Sequence, residues 1–445
     1  MSNVLGLLDQ STFDVGRASG AVNTVQCVWV YNRPIDIDGL RQFHDHLQRG
    51  RLSRCIERSP LPFGRHRWVA SDGLSDIEIV ESARPREAFD AWLEEQANTP
   101  LDCEHGPGWH LAVLPFTDGG TGVSLVVTHC LTDGVGLCDA LADAALGRDD
   151  PISWPAAASR RRWRAVGEDA FQTARDIPAV GRAVVAAIRL ARRSRGGAGA
   201  AAAPTATPPA LPAGADESVT FPMATIFVDA EGWTARAQSL GGTSNALAVG
   251  VAARLAQRVG RAAADGSVLV GMPVNERAPG DTRANAVSNV NVPVDDPALA
   301  TTDLREIRTA VRQVLIRHRE VGDEEQAVNA IVPLLTQRIL RGINARTVVP
   351  SNAVGSSNLG VVNPAVSRPD GTDADYFAIV NNFLRVSKAK MLRRGGMQSM
   401  VSGRARGLVF ITVASYHPDR PSSNDVLRQD LLSAVSDFSL TGTHL

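Results

Sequence analysis

The chain has 445 residues, of which 44% are hydrophobic and 21% charged, and its net charge is -1. A single hydrophobic core stops growing at roughly 250–300 residues, so we expect two domains. The near-neutral net charge excludes a function that depends on overall attraction to a polyanion, and the composition is ordinary for a globular protein.

Cysteine usage and the start of the chain predict a reduced compartment. The five cysteines are scattered without a CxxC pair, which argues against a disulfide framework and against a zinc site. Met1–Gly16 lacks a basic segment followed by an apolar one, so we expect no signal peptide, and no apolar run approaches the roughly 20 residues that span a bilayer. We therefore expect a cytoplasmic protein. The cysteines are Cys27, Cys55, Cys103, Cys130 and Cys138.

Strands and helices alternate in the first part of the chain. Runs rich in β-branched and apolar residues, bounded by polar turns, predict strands at Thr24–Asn32, His110–Phe116 and Gly122–Thr128. Apolar residues at helical spacing predict helices at Asp36–Gly50 and Pro85–Thr99.

An arginine-rich segment, residues 160–195, follows. A helix there places Val180, Val184, Ala187 and Ile188 on one side, with arginines elsewhere. Such a basic amphipathic helix can lie on an anionic membrane surface, and a plain solvated face is the alternative. Nucleic acid is not an expected partner, because no aromatic-interleaved basic sheet accompanies the charge.

A Gly/Ala/Pro-rich stretch, Gly196–Asp216, predicts a linker between an N-terminal lobe, residues 1–195, and a C-terminal lobe, residues 217–445. Strands and helices mix in the C-terminal lobe as well. Its predicted helices are Thr243–Arg261 and Leu304–Val321, and its predicted strands are Gly266–Glu276, Asn289–Asp295 and Gly407–Tyr416. The pattern predicts two layered α/β lobes.

One short stretch carries the candidate chemistry. The sequence VVTHCLTDGVG, Val126–Gly136, ends an apolar strand in His129 and reaches Asp133-Gly134 four residues later, before a predicted helix. Reactive groups are often placed where a loop leaves a rigid strand, and a neutral imidazole can act as a general base near neutral pH. From the spacing alone, a structural hydrogen-bonding histidine and an ordinary Asp-Gly turn remain open.

The pattern His-x-x-x-Asp-Gly resembles the signature of the acyltransferase superfamily that includes chloramphenicol acetyltransferase, non-ribosomal peptide condensation domains and plant acyltransferases. Thr99–Phe116, with its Pro-Leu-Asp and Gly-Pro-x-Trp elements, resembles the segment before this signature in bacterial wax ester synthase/diacylglycerol acyltransferases. Mycobacterial polyketide-associated acyltransferases are equally similar. Other matching segments, in the same order as in the family, are Leu5–Gly16, Arg65–Val69, Gly241–Gly260, Val270–Val294 and Ser351–Val362.

Two positions depart from the wax synthase pattern. Thr128 stands where that family has the first histidine of a pair, and Ala246 stands where it has an aspartate after Asn245. These differences favour the broader superfamily over its wax and triacylglycerol branch.

The resemblance implies two chloramphenicol-acetyltransferase-like lobes that form a V with a tunnel between them. His129 would lie at the midpoint as general base for transfer of an acyl group from a thioester, acyl-CoA or acyl-carrier protein, to an alcohol, with a lipid ester as product. The acyl donor and the alcohol are then substrates, and no metal or other cofactor is implied. The arginine-rich segment could also dock a carrier protein or the phosphates of coenzyme A.

The same resemblance assigns supporting roles to other residues. Asp133 would pair with Arg277 of the second lobe, and Gly134 would keep the channel open beside the histidine. Ser357 and Asn358 would polarise the thioester carbonyl or stabilise the oxyanion. Trp109 and Asn245 are further candidates. The structural alternatives are a solvated loop arginine for Arg277, a polar strand end for Ser357 and Asn358, a core aromatic for Trp109 and a helix cap for Asn245.

Two other functions remain open at this point. One is a condensation step that forms an amide or ester on carrier-bound substrates. The other is a non-catalytic member of the same fold that binds lipid or a partner protein, which the departures at Thr128 and Ala246 favour.

Overall fold

A computed structural model describes residues 3–71, 73, 75–148, 153–196, 217–278, 280–327, 353–421 and 423–445. The predicted linker, apart from Gly196, lies outside these residues. The helices are α1 (Leu7–Ser19), α2 (Ile37–Arg49), α3 (Phe89–Ala97), α4 (Gly134–Ala145), α5 (Arg162–Gly196), α6 (Ala230–Ser239), α7 (Ser244–Arg258), α8 (Arg305–Ala327), α9 (Lys388–Arg394) and α10 (Asn424–Ser436).

The strands form two main sheets and a short hairpin. The strands are β1 (Val22–Tyr31), β2 (Arg54–Glu57), β3 (Arg67–Ala70), β4 (Ile77–Ile79), β5 (Trp109–Pro115), β6 (Thr121–Thr128), β7 (Met223–Asp229), β8 (Val268–Asn275), β9 (Val287–Val294), β10 (Ala353–Val361), β11 (Tyr376–Leu384), β12 (Met397–Ala405), β13 (Leu408–Tyr416) and β14 (Gly442–Thr443). The sheet of the first lobe has the order β11-β1-β6-β5-β4, the sheet of the second has β14-β7-β13-β12-β10-β8-β9, and β2 pairs with β3.

The predicted α/β fold class, with mixed helices and open sheets in two lobes, is confirmed, and every helix and strand predicted from periodicity is present. In the first lobe, β6 is buried along its whole length because β1 and β5 flank it in the sheet and helices cover it. α2 begins at the cap Asp36, whose carboxylate accepts from the Asp38 and Gly39 amides at 3.0 and 3.1 Å.

One strand crosses between the halves of the chain. β11 belongs by sequence to the second half, yet it pairs antiparallel with β1 and completes the first sheet, with Val22 opposite Leu384 and Val30 opposite Tyr376. No sequence signal singled out this strand. The division at residues 196–216 stays a prediction, and the strand exchange means that the first sheet draws on both sides of it.

Four helices, α6, α7, α8 and α10, pack on one face of the seven-stranded sheet of the second lobe. α7 begins at Thr243, whose hydroxyl accepts from the Ala246 amide at 3.2 Å, and ten of its residues are buried. Along β9, buried residues alternate with exposed ones, so Val287, Asn289 and Asn291 lie on the sheet face opposite the helices. These three residues line a cavity together with Leu8 of the first lobe. Among the described residues, no helix combines the length and the apolar character needed to cross a membrane.

Candidate active site

His129 lies directly after β6, and its backbone is held on both sides. Its amide donates to the carbonyl of Asn23 at 3.0 Å, which extends the β1–β6 pairing by one step. Its carbonyl accepts from Asn285 Nδ2 at 3.1 Å. Since Asn285 comes from the loop before β9, the second lobe helps to fix the position of the histidine.

The side chain of His129 lines a cleft of about 700 Å³ between the lobes. Across the part of the chain that the structure describes, its imidazole forms no hydrogen bond, ion pair or ring contact. A ring nitrogen is therefore available to a molecule in the cleft. The second lobe contributes most of the lining, including Gly271, Pro273, Val287, Asn289, Asn291, Val354, Ser356, Ser357, Gln398 and Ser399, and the first lobe contributes Leu8, Thr12 and Asn23.

Asp133 is the N-cap of α4 and is only 2% exposed. One carboxylate oxygen accepts from the Gly136 amide at 2.7 Å. The other accepts from Arg277 Nη2 at 2.9 Å and from the Ala286 amide at 2.8 Å. Both oxygens thus take part in hydrogen bonds that join the start of α4 to its own first turn and to the second lobe.

Arg277 reaches Asp133 from the loop after β8, and its side chain is 6% exposed. Its guanidinium also donates to the carbonyls of Arg283 and Ala284 at 2.9 and 3.0 Å. Its Nε has no hydrogen-bond partner among the described residues. We call this buried pair and its backbone partners the interlobe latch. A buried charge pair is tolerated when further hydrogen bonds accompany it, and here two carbonyls and two backbone amides supply them.

The interlobe latch and the cleft beside His129 can be compared with known proteins. No family model matches the chain, and no curated protein sequence matches it. Solved structures match over nearly the full length. Polyketide synthase associated protein 5 from Mycobacterium tuberculosis has a TM-score of 0.54 at 15% identity, and the match covers 96% of each chain.

Two further structures agree with this match. Wax ester synthase/diacylglycerol acyltransferase from Marinobacter aquaeolei VT8 has a TM-score of 0.55 at 15% identity, over 98% of this chain and 100% of the other. The first condensation domain of the CDA synthetase has 0.56 at 12% identity, over 100% and 99%. The chain has the fold of the condensation and acyltransferase superfamily. The resemblance expected from the motifs is thereby confirmed at the level of the fold.

Within this condensation and acyltransferase fold, α1 supplies a residue that sequence reasoning missed. Asp9 is fully buried, and its carboxylate accepts from the amide of Asn285 at 2.7 Å and from Asn285 Nδ2 at 3.3 Å. The same Nδ2 donates to the His129 carbonyl. Asp9 therefore positions Asn285, and Asn285 positions the histidine. The two partners are 276 residues apart, so no local spacing could have paired them.

Arg54 is a second missed residue. It is buried beneath the loop between His129 and Asp133, where Nη2 donates to the Leu131 carbonyl at 2.8 Å and Nη1 donates to the Thr282 carbonyl at 2.6 Å. Its guanidinium lies 4.0 Å from the centre of the Trp68 ring. Burial lowers its pKa to about 10, so it is still charged at neutral pH and ties both lobes to the loop.

Glycines bring the second lobe close to α4. A Cβ on Gly134 would lie 2.9 Å from Leu359 Cδ2 of β10, and a Cβ on Gly136 would lie 2.8 Å from Arg277 Nη2. The first contact involves the end of a flexible side chain, whereas the second would push on the interlobe latch. Gly134 was a candidate from the sequence, and Gly136 was missed although it belongs to the same short stretch.

The two candidates on β10, Ser357 and Asn358, have different surroundings in the structure. Ser357 lines the cleft together with His129. Asn358 does not line it, since its Nδ2 lies 3.4 Å from Asn245 Oδ1 and its own Oδ1 accepts from the Gly360 amide at 2.9 Å. Asn245 also contacts the Met272 sulfur at 3.2 Å, and Thr243, not Asn245, caps α7.

Trp109 lies in the hydrophobic core of the first lobe and does not line the cleft. Its ring meets the His44 ring edge to face, with the centroids 5.3 Å apart. The sequence left Trp109 open as a site residue or a core aromatic, and in the structure it is a core aromatic. The described residues contain no group of three or more His, Cys, Asp or Glu side chains that could hold a metal ion.

Proposed function

We propose that the protein is an acyltransferase that moves an acyl group from a thioester to an alcohol, with His129 as the general base. The observation that carries the proposal is the imidazole, which lines the cleft and has no partner on its ring nitrogens among the residues that the structure describes. The neighbours of the same fold include a wax ester synthase/diacylglycerol acyltransferase and a condensation domain, which supports acyl transfer as the reaction class.

The chemistry follows from what a free imidazole can do. A ring nitrogen removes the proton of the acceptor hydroxyl while its oxygen attacks the thioester carbonyl and forms a tetrahedral oxyanion. Collapse of that intermediate breaks the carbon–sulfur bond, and the departing sulfur takes the proton back from the imidazolium. The sum is ester plus thiol, with no covalent acyl-enzyme. General base catalysis of this kind typically contributes about 10²–10⁴-fold to the rate.

The interlobe latch then has an architectural role. Each Asp133 oxygen already accepts a hydrogen bond and both Arg277 Nη atoms already donate, so we assign neither side chain to proton transfer. Their contribution is to hold the two walls of the cleft together, which keeps both substrates aligned with the histidine. Such alignment can account for a large part of an enzymatic rate.

Ser357 is our candidate for stabilising the oxyanion. It lies on the second-lobe wall of the cleft that His129 also lines, and a hydroxyl can donate to developing negative charge. Asn358, the other candidate, is turned to Asn245 and to the Gly360 amide. We assign Asn358 to the support of β10.

We propose a lipid ester as the product, on the strength of the similarity to a wax ester synthase/diacylglycerol acyltransferase. A condensation step on carrier-bound substrates is the second candidate, favoured by the similarity to condensation domains. The two differ in the donor that they accept. Free acyl-CoA and an acyl-carrier protein, offered in parallel assays with the same alcohol, distinguish them.

The test of the proposed base is the His129→Ala variant. We expect thiol release from acyl-CoA or acyl-carrier protein to depend on an added alcohol in the wild type and to fall at least 10²-fold in the variant, because the proton acceptor is lost. His105→Ala is the matched control, since this histidine is exposed and its ring pairs with Asp102. Its rate should equal that of the wild type.

Two results would contradict the proposal. If His129→Ala formed ester at the wild-type rate, the imidazole would not be the base. If the folded wild type released no thiol with any donor and alcohol pair, the protein would be a binding member of the fold and not an enzyme.

A further inference from the structure

The helix α5 is attached to the first lobe through its acidic residues. Asp169 is fully buried and accepts from Arg160 Nη1 at 2.8 Å, from Arg67 at 3.2 Å and from the Ser59 hydroxyl at 2.7 Å. Two turns later, Asp176 accepts from Arg65 Nη1 at 3.2 Å. The polar side of this helix therefore faces the protein.

The opposite side of α5 is apolar and faces solvent. Trp163 is 86% exposed, Phe171 66% and Ile177 64%, and Val184 and Val185 are exposed as well. At 3.6 residues per turn, these positions fall on one side of the helix, and the residues between them on that side carry no charge. We call this side the exposed stripe; its members are Trp163, Ala170, Phe171, Ala174, Ile177, Pro178, Gly181, Val184 and Val185.

The sequence predicts that Val180 and Val184 lie on one side of this helix together with Ala187 and Ile188. In the structure, Val184 belongs to the exposed stripe, whereas Val180 is only partly exposed and lies toward the edge. The side chains of Ala187 and Ile188 lie outside those that the structure describes. The stripe spans about 33 Å along the helix axis, at 1.5 Å per residue.

Arginines border the exposed stripe. Arg164, Arg175 and Arg182 fall on one edge of it, and the Arg175 guanidinium lies 5.7 Å from the centre of the Phe171 ring. The sequence of α5 contains eight arginines against three acidic residues, and its last two turns hold Arg192, Arg193 and Arg195. All three acids are paired with arginines. Asp169 and Asp176 pair as described above, and Glu168 pairs with Arg164 at 2.8 Å. No carboxylate of α5 remains to neutralise the arginine-rich end.

We propose that the exposed stripe of α5 binds the surface of an anionic lipid membrane. An interfacial helix buries its aromatic and aliphatic side in the headgroup boundary while arginines meet the lipid phosphates, and α5 presents both features on one side. A second copy of this chain is a poorer occupant, since the facing α5 would bring the same arginines and no free carboxylate. This inference stands apart from the proposed acyl transfer, because none of the α5 side chains that the structure describes lines the cleft.

The position of α5 relates the stripe to the cleft. Arg65, which holds Asp176, also donates to the Leu5 carbonyl, just before α1. Leu8 and Thr12 of α1 line the cleft. A membrane bound to α5 would thus lie against the lobe that carries His129, with α1 connecting the two sites.

The experiment uses the full-length protein with vesicles of phosphatidylcholine alone and vesicles that also contain phosphatidylglycerol. We expect sedimentation with the anionic vesicles, at least tenfold weaker binding to the neutral ones, and weaker binding at high salt. Tryptophan emission reports insertion directly, because all seven tryptophans are described and Trp163 is the one among them that is exposed. Its emission should shift to the blue on binding.

Variants test whether the exposed stripe itself is the binding surface. The double variant Phe171→Glu/Ile177→Glu should bind anionic vesicles at least tenfold more weakly, and it should fold normally because both side chains are exposed. Val361→Glu is the matched control, since Val361 is 76% exposed on β10, away from α5, and its binding should equal that of the wild type. Trp163→Phe should keep binding and lose the blue shift.

Three results would overturn the proposal: no sedimentation of the wild type with anionic vesicles, equal sedimentation of the double variant, or a dimer that forms with increasing protein concentration and is abolished by that variant. The last result would assign the exposed stripe to a second copy of the chain.

Discussion

The helices α4 and α5 are both held by a buried aspartate, but the apolar side of α4 is buried and that of α5 is exposed to solvent. Asp133 at the start of α4 and Asp169 in α5 each accept three or more hydrogen bonds, and each has arginine partners. α4 also buries Leu137 and Leu141 completely, whereas α5 leaves Phe171 and Ile177 in solvent. A cluster of ion pairs can therefore attach a helix and leave its apolar side available for another partner.

The two aspartates also differ in the surroundings of their arginines. Arg277 is buried, and Asp133 is the one carboxylate within salt-bridge distance of it among the described residues. Arg160 and Arg67 are partly exposed and have further acidic neighbours in Glu57 and Glu168. Loss of the aspartate should therefore cost more at the interlobe latch than at α5, because a charge that is left buried has no water to receive it.

The largest effect is expected from Asp133→Ala. It leaves the Arg277 charge buried and removes the cap of α4, so the free energy of unfolding should fall by about 3–5 kcal/mol. Urea denaturation measures this. Asp133→Asn is the matched control, since it keeps one acceptor oxygen and the size of the side chain. Its free energy of unfolding should fall by less. Equal stability of Asp133→Ala and the wild type would mean that the latch does not hold the lobes.

A smaller effect is expected from Asp169→Ala. Arg160 and Arg67 can turn to water or to their other acidic neighbours, so the loss should be about 2 kcal/mol, in the range for hydrogen bonds to charged groups. Hydrogen exchange should increase mainly in α5 and little in the central strands β1 and β6. If Asp169→Ala lowered the free energy of unfolding as much as Asp133→Ala and increased hydrogen exchange over the whole lobe, the two helices would not differ in this way.

The smallest of these effects is expected from Gly134→Ala. The new methyl group meets Leu359 Cδ2 at 2.9 Å, and this flexible side chain is only partly buried, so we expect a destabilisation of about 1 kcal/mol, at the low end for overpacking. Gly136→Ala is the comparison variant at the latch itself. It should cost more, because its methyl group meets the Arg277 guanidinium.

Residues close together in the sequence could be predicted, and residues brought together by topology could not. His129, Asp133 and the start of α4 follow from one stretch of strand, loop and helix signals. Asp9 and Asn285 are ordinary residues in the sequence, and their shared contact with His129 exists only after both lobes have packed. Arg277 was found through the family resemblance, since its spacing to Asp133 carries no signal of its own.

The orientation of α5 could not be predicted from the sequence, for a different reason. Helical periodicity gives the division into polar and apolar sides, but periodicity does not say which side meets the protein. The usual rule places the apolar side inward, whereas here the arginines at positions 65, 67 and 160 provide partners for the acidic side. β11 was missed for a related reason: its pairing with β1 joins residues about 350 positions apart along the chain.

The exchanged strand β11 has a consequence for how the protein is made. During translation, β1 emerges early, but its outer edge lacks a partner until the ribosome has synthesised Leu384, so the nascent first lobe exposes an open sheet edge for most of its synthesis. Unpaired edges of this kind invite pairing with other chains. A truncated gene that stops before β11 should yield insoluble protein, and co-expression of the missing half in the same cell should restore solubility.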